Sequence, residues 1–220
     1  YKDENGEWTG FDAELARKFA ESLDVECEFF VIGDWGKKFV ELETKNIDVV
    51  WNGMTITDEA KNNASVSDPY VINAQVVVMK ADQLDNFADA ASLAGLNIAV
   101  ESGSAGETYA KGAFKDISFK GFTKQTDCLT EVKAKTADFA VLDAQLAKSY
   151  CGKGDYADLV IVDGLESDVE YYAIGFKKGS ELTAKVNEQL EKLGKDGTIT
   201  ELAKKYGVEN TAIIDFEDQK

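Results

Sequence analysis

Short apolar runs alternate with amphipathic stretches along the whole chain. The runs are rich in β-branched residues, as buried strands are, and the stretches between them place apolar residues at helical spacing. This order indicates an α/β protein and, in the first half, parallel pairing of successive strands. Predicted strands cover residues 25–32, 47–51, 75–80, 97–100, 139–142, 159–162 and 170–176. Predicted helices cover residues 12–23, 38–44, 55–61, 87–95, 126–135, 143–150, 180–193 and 199–206.

The chain opens with a predicted hairpin over residues 1–10, because Asn5-Gly6 is a strong turn signal. Asp12 is predicted to cap the helix that follows. The sequence starts as though in the middle of a hairpin, so we expect any targeting segment to lie upstream of Tyr1.

The stretch 48–59 has the most informative pattern. Its strand ends at Trp51, breaks at Asn52-Gly53, and leads to Thr55 and Thr57, followed by acids that are typical of a helix start. Open α/β sheets bind ligands at such strand ends, and the amides of such a turn can hold a carboxylate. An ordinary strand-to-helix connection has the same pattern, so both interpretations stay open.

Two later strand ends also carry small or polar residues. Residues 101–107 read Glu-Ser-Gly-Ser-Ala-Gly-Glu and repeat the order of strand, turn and helix start. Asp143 stands at the end of the predicted strand 139–142. A plain loop explains the first feature and a helix cap explains the second. The occurrence of two similar turns, one in each half, weakens the interpretation that both are plain connections.

Composition and charge narrow the function classes. The 220 residues are 44% hydrophobic, enough to form the core of one large domain or two small ones. The net charge of −17 argues against nucleic acid and anionic membrane surfaces as partners, because both are polyanions. No apolar stretch reaches the roughly 18 residues that a membrane-spanning helix needs.

The chain has no histidine, which excludes Ser-His-Asp and Cys-His catalysis and histidine-based metal sites. Its three cysteines fit no metal-ligand spacing. Cys27 lies in an apolar run and is predicted to be a core residue, whereas Cys128 and Cys151 either form a disulfide or stay unpaired. We therefore expect neither a metal nor a cofactor.

Several motifs, in the same order and from end to end, resemble those of the polar amino-acid-binding proteins of ABC importers. These are the family 3 extracellular solute-binding proteins. The motifs are Gly10-Phe11-Asp12, Asp34-Trp35, Asn46-Ile47-Asp48, Gly53-Met54-Thr55-Ile56-Thr57, Ser67-Asp68-Pro69-Tyr70, Glu101-Ser102-Gly103-Ser104, residues 137–143, residues 175–180 and Asp196-Gly197-Thr198.

The resemblance implies a two-lobed, periplasmic-binding-protein-like (type II) α/β fold with two hinge strands, which closes on a ligand between the lobes. Lobe 1 would comprise residues 1–70 plus 172–220, and lobe 2 residues 74–168. The hinges would lie at residues 70–74 and 168–172. The first strand of the family is missing at the front of this sequence, so we expect the sheet of lobe 1 to lack it.

In lobe 1 the resemblance implies an aromatic wall and a set of polar contacts. Trp35 would pack against the side chain of the ligand. The turn formed by Asn52, Gly53 and Met54, together with the hydroxyl of Thr55, would bind the α-groups of an amino acid.

In lobe 2 the resemblance implies that both charges of a zwitterion are matched. The amides of Ser104 and Ala105 would bind the α-carboxylate, and Asp143 would take the α-ammonium. Glu101 would face the far end of the ligand side chain, where a carboxylate favours a cationic or hydrogen-bond-donating group. Such pairing is needed because charges removed from water must meet partners.

One position departs from the family pattern. The family has an arginine five residues after Thr55, where it grips the α-carboxylate, and this chain has Ala60 there. The single arginine of the chain is Arg17, on the first helix. Removing such a charged partner typically costs about 2–5 kcal/mol. Weak binding, a ligand without that carboxylate, and an altered position all remain open.

The implied function is capture of a polar amino acid, a cationic one being one option, by a monomer that delivers it to the permease of an ABC importer, with no catalytic residues. The protein would be extracytoplasmic, either in a periplasm or lipid-anchored on the outer face of the cell membrane. Three alternatives remain: the ligand-binding module of a sensor, a cyclohexadienyl-dehydratase-like enzyme using Glu101 or Asp143 as acid or base, and a scaffold with weakened binding.

Overall fold

The computed structural model describes residues 1–87 and 89–216. The α-helices are α1 (Phe11–Ser22), α2 (Lys38–Glu43), α3 (Asp58–Asn63), α4 (Ala105–Ala113), α5 (Gln125–Lys133), α6 (Ala144–Tyr150), α7 (Leu182–Lys195) and α8 (Thr198–Tyr206). The strands are β1 (Val49–Val50), β2 (Ala64–Val66), β3 (Val71–Asn73), β4 (Gln75–Lys80), β5 (Asn97–Glu101), β6 (Ser118–Phe122), β7 (Phe139–Asp143), β8 (Leu159–Ile161), β9 (Glu170–Tyr172) and β10 (Gly175–Lys177).

The chain divides into two compact units. Unit 1 contains Tyr1–Ile32, Lys37–Ile72 and the chain from Tyr171 onward, and unit 2 contains Gly33–Gly36 and Asn73–Glu170. The strands β3 and β9 pair with each other, and the boundary between the units falls within both. The lobe limits and hinges implied by the sequence stay a prediction.

Unit 1 is built on a three-stranded antiparallel sheet in the order β1-β10-β2. The long helix α7 buries Val186, Leu190 and Leu193, residues at helical spacing, in the core of this unit. In the same core the ring of Phe19, from α1, meets the edge of Phe176, from β10, at 6.2 Å. The C-terminal segment therefore supplies both the central strand and much of the core of unit 1.

Unit 2 is built on a five-stranded mixed sheet in the order β6-β5-β7-β4-β8. Strand β5 is parallel to β6 and β7, whereas β4 is antiparallel to β7 and β8. Val76 and Val78 of β4 belong to one apolar cluster, and Val77 and Met79 to another. The sheet is thus buried on both faces, which explains the continuous apolar run of β4.

The predicted strand at residues 25–32 is wrong. Within the described chain, no backbone amide or carbonyl from residue 26 to residue 32 makes a hydrogen bond. Val25 and Phe30 are 57% and 58% exposed, although Phe29 packs against Trp8 at 6.0 Å. Apolar and β-branched composition favours a strand only where a neighbouring strand completes the ladder, and this segment has none.

Parallel pairing in the first half is also wrong, because β1 and β2 both pair antiparallel with β10. Asp12 does not cap α1; the residue at the N-cap is Gly10, which has a positive φ of 119° and makes no side-chain cap. The predicted strand 170–176 is two strands, β9 and β10, and strand β6 was not predicted. The predicted helix 87–95 is a 3₁₀ turn at Ala90–Leu93, and Ala88 lies outside the described residues.

Other predictions are confirmed. The N-terminal hairpin closes through a bridge between Lys2 and Trp8, and Thr57 caps α3. Helices α2, α5, α6, α7 and α8 and strands β4, β5, β7 and β8 lie within a few residues of their predicted limits. In the part of the chain that the structure describes, no helix combines the length and apolarity needed to cross a bilayer.

All three thiols are free, which resolves the open question about Cys128 and Cys151. Burial, and after it the carboxylate of Glu101, raises the pKa of Cys128 to about 12. Burial raises the pKa of Cys151 to about 11 and also raises that of Cys27. Because the thiolate is the reactive form, none of the three is activated at neutral pH.

We expect Ellman's reagent at pH 8 to label native protein slowly and to leave Cys128 unmodified until the chain unfolds. After denaturation without reductant, the reagent should count three thiols. A count of one would mean that two of the three cysteines are joined, which would contradict the structure.

Two glycines on helices should respond to alanine in opposite ways. A Cβ on Gly194 of α7 would lie 2.2 Å from the carbonyl oxygen of Ile214, whereas a Cβ on Gly112 of α4 would meet nothing within 4 Å. We expect Gly194→Ala to lower the free energy of unfolding by about 1–3 kcal/mol through overpacking. The control Gly112→Ala should raise it by up to about 1 kcal/mol through helix propensity. Urea denaturation measures both, and stabilisation by Gly194→Ala would exclude the close approach.

Candidate functional site

In unit 1 the turn after β1 is fixed by a partly buried hydrogen-bonded network. Asn52 and Gly53 both have positive φ angles, 139° and 65°. The carboxylate of Asp12 accepts hydrogen bonds of 2.7 Å from the side-chain amide of Asn52 and the hydroxyl of Tyr70. Asp12 therefore holds a strained turn in place instead of capping α1.

Burial dominates the electrostatics of this network. It raises the pKa of Asp12 above its ordinary value of 3.8, although the hydrogen bonds from Tyr70 and Asn52 oppose the rise. Burial, followed by the nearby Asp12 carboxylate, raises the pKa of Tyr70 well above 10.0. The Gly53 backbone acts in the opposite direction on the pKa of Tyr70.

The predicted site residues after this turn are buried or half-buried. Met54 is 1% exposed, and its sulfur packs on Gly175, so its side chain belongs to the core. Thr55 is half-buried, and its backbone forms an isolated antiparallel β-bridge with Tyr172. Ala60 is also 1% exposed, and its amide donates to the hydroxyl of the capping Thr57 at 3.1 Å.

In unit 2 the turn between β5 and α4 presents backbone amides. Glu101 ends β5 and is half-buried, and Ser104 caps α4 by accepting the Glu107 amide at 3.1 Å. The next two amides, of Ala105 and Gly106, make no hydrogen bond within residues 1–87 and 89–216. Two free N–H groups at a helix N-terminus are suited to bind an anion.

The loop carrying Trp35 packs on this turn. Residues 33–36 belong to unit 2, and a 3₁₀ turn starts at the half-buried Trp35. A Cβ on Gly103 would lie 2.6 Å from the Cα of Gly36, and Gly103 has a φ of 74°. Only glycine fits this close approach, because it has neither the Cβ nor the penalty for positive φ.

A second cluster of polar side chains surrounds Asp143 at the end of β7. One carboxylate oxygen accepts hydrogen bonds from the side-chain amides of Asn73 (2.9 Å) and Gln75 (2.6 Å). The other oxygen accepts from the side-chain amide of Gln125, whose carbonyl in turn accepts the backbone amide of Asp143 at 2.9 Å. These three carboxamides are neutral donors that fix the orientation of the carboxylate.

The sequence matches the bacterial extracellular solute-binding proteins, family 3, over residues 1–209. The chain belongs to this family. Curated relatives of this solute-binding protein include the arginine-binding extracellular protein ArtP of Bacillus subtilis (strain 168), which is 30% identical over 90% of this chain and 77% of the relative.

Solved structures resemble this solute-binding protein closely. A mutant of the arginine-binding protein ArgBP from T. maritima superposes with a TM-score of 0.86 at 34% identity, over 94% of this chain and 89% of the other. The ancestral amino acid-binding protein AncCDT-1, described as a precursor of cyclohexadienyl dehydratase, superposes with a TM-score of 0.85 at 32% identity, over 94% of this chain and 88% of the other. The type II periplasmic-binding-protein fold predicted from the sequence is therefore correct.

Within unit 2, the structure of this solute-binding protein places polar residues around the predicted sites that the sequence did not single out. Asn73, Gln75 and Gln125 hold Asp143, although they lie 70, 68 and 18 positions from it. A usable signal was present at Gln75, because a carboxamide at the start of an otherwise apolar strand must find a partner when it is buried. In unit 1, the supporting residues not predicted for this role are Asp12 and Tyr70.

The raised pKa of Asp12 has a consequence for stability in this solute-binding protein. As pH rises above 3.8, the unfolded state loses this proton before the folded state does, so folding becomes less favourable until the folded pKa is passed. Asp12→Asn removes the titration. We expect its unfolding free energy, relative to the wild type, to increase with pH across that window and to level off above it.

Denaturant unfolding between pH 3.5 and 7 measures this difference. Asp48→Asn, which changes an exposed carboxylate of the same unit, is the matched control. A constant difference for Asp12→Asn, or the same trend in both variants, would contradict the assignment.

Proposed function

We propose that this protein binds arginine or a similar cationic, polar amino acid, without catalysis, and delivers it to the permease of an ABC importer. One observation supports this most strongly: unit 2 alone carries partners for both charges of an amino acid. The free amides of α4 suit the α-carboxylate, and Asp143 suits the α-ammonium. The arginine-binding relatives of the same family favour the same ligand class.

The α-carboxylate would bind at the start of α4. There the predicted amide of Ala105, and that of Gly106, add to the positive end of the helix dipole. The amide of Ser104, also predicted as a donor, is taken by the carbonyl of Glu101 at 3.3 Å. Ser104 contributes instead through its hydroxyl, which caps the helix. In unit 1 the turn at Asn52-Gly53 and the Thr55 hydroxyl would complete the recognition of the α-groups.

The α-ammonium would bind to Asp143. A carboxylate that is partly removed from water pairs strongly with an ammonium, provided that its position is fixed in advance. The three carboxamides around Asp143 supply that fixed position.

The ligand side chain would extend toward Glu101 and Trp35. A half-buried carboxylate favours a cationic group, and an indole face can stack on a guanidinium. The net charge of −17 also attracts cationic ligands over a distance. Ala60 offers no charge to the α-carboxylate, so we expect weaker binding than an arginine at this position would give.

Capture would involve closure of two lobes, residues 1–70 plus 172–220 and residues 74–168, about the hinges at 70–74 and 168–172. Ligand affinity would then depend on how much better the ligand binds the closed form than the open form. The protein would act as an extracytoplasmic monomer, either periplasmic or lipid-anchored, and its closed form would dock on the permease.

A dehydratase is the second candidate, because AncCDT-1 is described as a precursor of cyclohexadienyl dehydratase. Such an enzyme needs an acid or base near the substrate, and Glu101 and Asp143 are the available carboxylates. In Asp143, however, the hydrogen bonds from neutral amides favour the charged form, which suits ammonium binding better than proton donation. Assays with prephenate and arogenate separate the two functions.

A thermal-shift panel of the twenty amino acids, ornithine, citrulline and agmatine tests the proposal, with calorimetry for any ligand that responds. A ligand that binds only the folded protein stabilises it by about 2.7 kcal/mol at one hundred times its dissociation constant. We expect arginine to give the largest shift. A response to agmatine alone would mean that the carboxylate site is lost, and no response to any amino acid would refute the proposed function.

Asp143→Asn should weaken arginine binding by about 30-fold to a few thousand-fold, because removing one partner of a desolvated charge pair costs about 2–5 kcal/mol. The variant keeps the size of the side chain. The matched control is Asp163→Asn, an exposed position in the same unit. Isothermal titration of both variants measures the effect, and equal affinities would remove Asp143 from the site.

A further inference from the structure

In unit 2, two side-chain carboxamides each donate hydrogen bonds to the same two carboxylates. The side-chain nitrogen of Asn73 lies 2.9 Å from Asp143 Oδ1 and 2.7 Å from Glu170 Oε1. The side-chain nitrogen of Gln75 lies 2.6 Å from the same two oxygens. Each NH₂ group therefore gives one hydrogen to each carboxylate, which uses its full donor capacity.

The surroundings determine which end of each carboxamide faces the carboxylates. Gln75 is 1% exposed. Its backbone amide donates to the hydroxyl of Ser167, and its backbone carbonyl accepts the amide of Ser167, both at 2.9 Å. Its side-chain oxygen lies beside Gly106, and a Cβ added to Gly106 would lie only 2.8 Å from that oxygen. Asn73 is 4% exposed, and its side-chain oxygen accepts the Gln145 amide at 3.4 Å. Both NH₂ groups are thus directed at Asp143 and Glu170.

The two carboxylates are consequently close to each other. Their oxygens lie at most 5.2 Å apart, twice the 2.6 Å that separates each from the Gln75 nitrogen. Two negative charges at this distance repel each other, and the shared donors keep both in place. A cation bound at Asp143 would also feel the charge of Glu170.

We propose that Glu170 is a positioning residue for Asp143, acting through Asn73 and Gln75. This inference rests on the proposed function, in which Asp143 receives the α-ammonium of the ligand. Glu170 holds the second hydrogen of each carboxamide, so the first hydrogen stays on Asp143 Oδ1. Without the Glu170 charge, the carboxamides lose a strong acceptor and Asp143 loses both its fixed orientation and the added negative potential.

Glu170→Gln is the test, because it keeps the size of the side chain and removes the charge. The probes are arginine and 5-guanidinopentanoic acid, which is arginine without its α-ammonium. We expect the variant to bind arginine about tenfold more weakly, a typical coupling within one hydrogen-bonded network. Affinity for 5-guanidinopentanoic acid should stay within about twofold of the wild type, since that probe has no ammonium to place at Asp143.

The matched control is Glu166→Gln, which removes an exposed carboxylate four residues earlier in the same unit and should change neither affinity. Equal weakening of both probes by Glu170→Gln would show a general structural defect and overturn the positioning role. Unchanged arginine affinity would overturn it too. If wild-type protein bound no arginine, the proposed function would fail separately.

A second measurement does not depend on any ligand. In ¹H–¹⁵N spectra the side-chain amide resonances of Asn73 and Gln75 should shift in Glu170→Gln, and that of Gln125 should follow through Asp143. The resonances should stay in place in Glu166→Gln. Unshifted Asn73 and Gln75 resonances in Glu170→Gln would show that Glu170 does not hold these groups.

Discussion

The need to pair carboxylates that are partly removed from water organises both halves of this protein. In unit 1 Asp12 takes a phenol and a carboxamide as partners, and burial still leaves its pKa raised. In unit 2 Asp143 takes three carboxamides. A charge removed from water is tolerated only when its hydrogen-bonding capacity is met, so the elements that supply these donors must pack where they do. The two networks therefore fix a turn in one unit and a strand end in the other.

The mixed sheet of unit 2 explains how distant residues meet at Asp143. Because β4 runs antiparallel to β7, Gln75 at the start of β4 lies opposite Asp143 at the end of β7. If β4 and β7 were parallel, the start of β4 and the end of β7 would lie at opposite edges of the sheet. The alternation of Val76 and Val77 between two apolar clusters buries this pair of strands on both faces. The core thus provides a rigid base for the polar cluster.

The sequence predicted those elements whose signals are local. The Thr57 cap, the buried face of α7 and the apolar strand β4 follow from spacing and residue type alone. The segment 25–32 has the same local signal for a strand but forms none, because a ladder requires a neighbour that no local pattern reveals. For the same reason the resemblance pointed to Asp143, whereas its partners Asn73 and Gln75, about seventy positions away, were visible only in the fold.

Because position 60 is alanine, the proposed binding of the ligand's α-carboxylate depends mainly on donors in unit 2. Its side chain is buried and its amide is occupied by Thr57, so position 60 adds neither charge nor donor. In the proposed recognition the free amides of Ala105 and Gly106 would be the main donors for a carboxylate, and neutral donors at a helix end bind it less strongly than a bidentate guanidinium. The preorganised Asp143 cluster is consequently the part of the chain that can best offset the missing arginine.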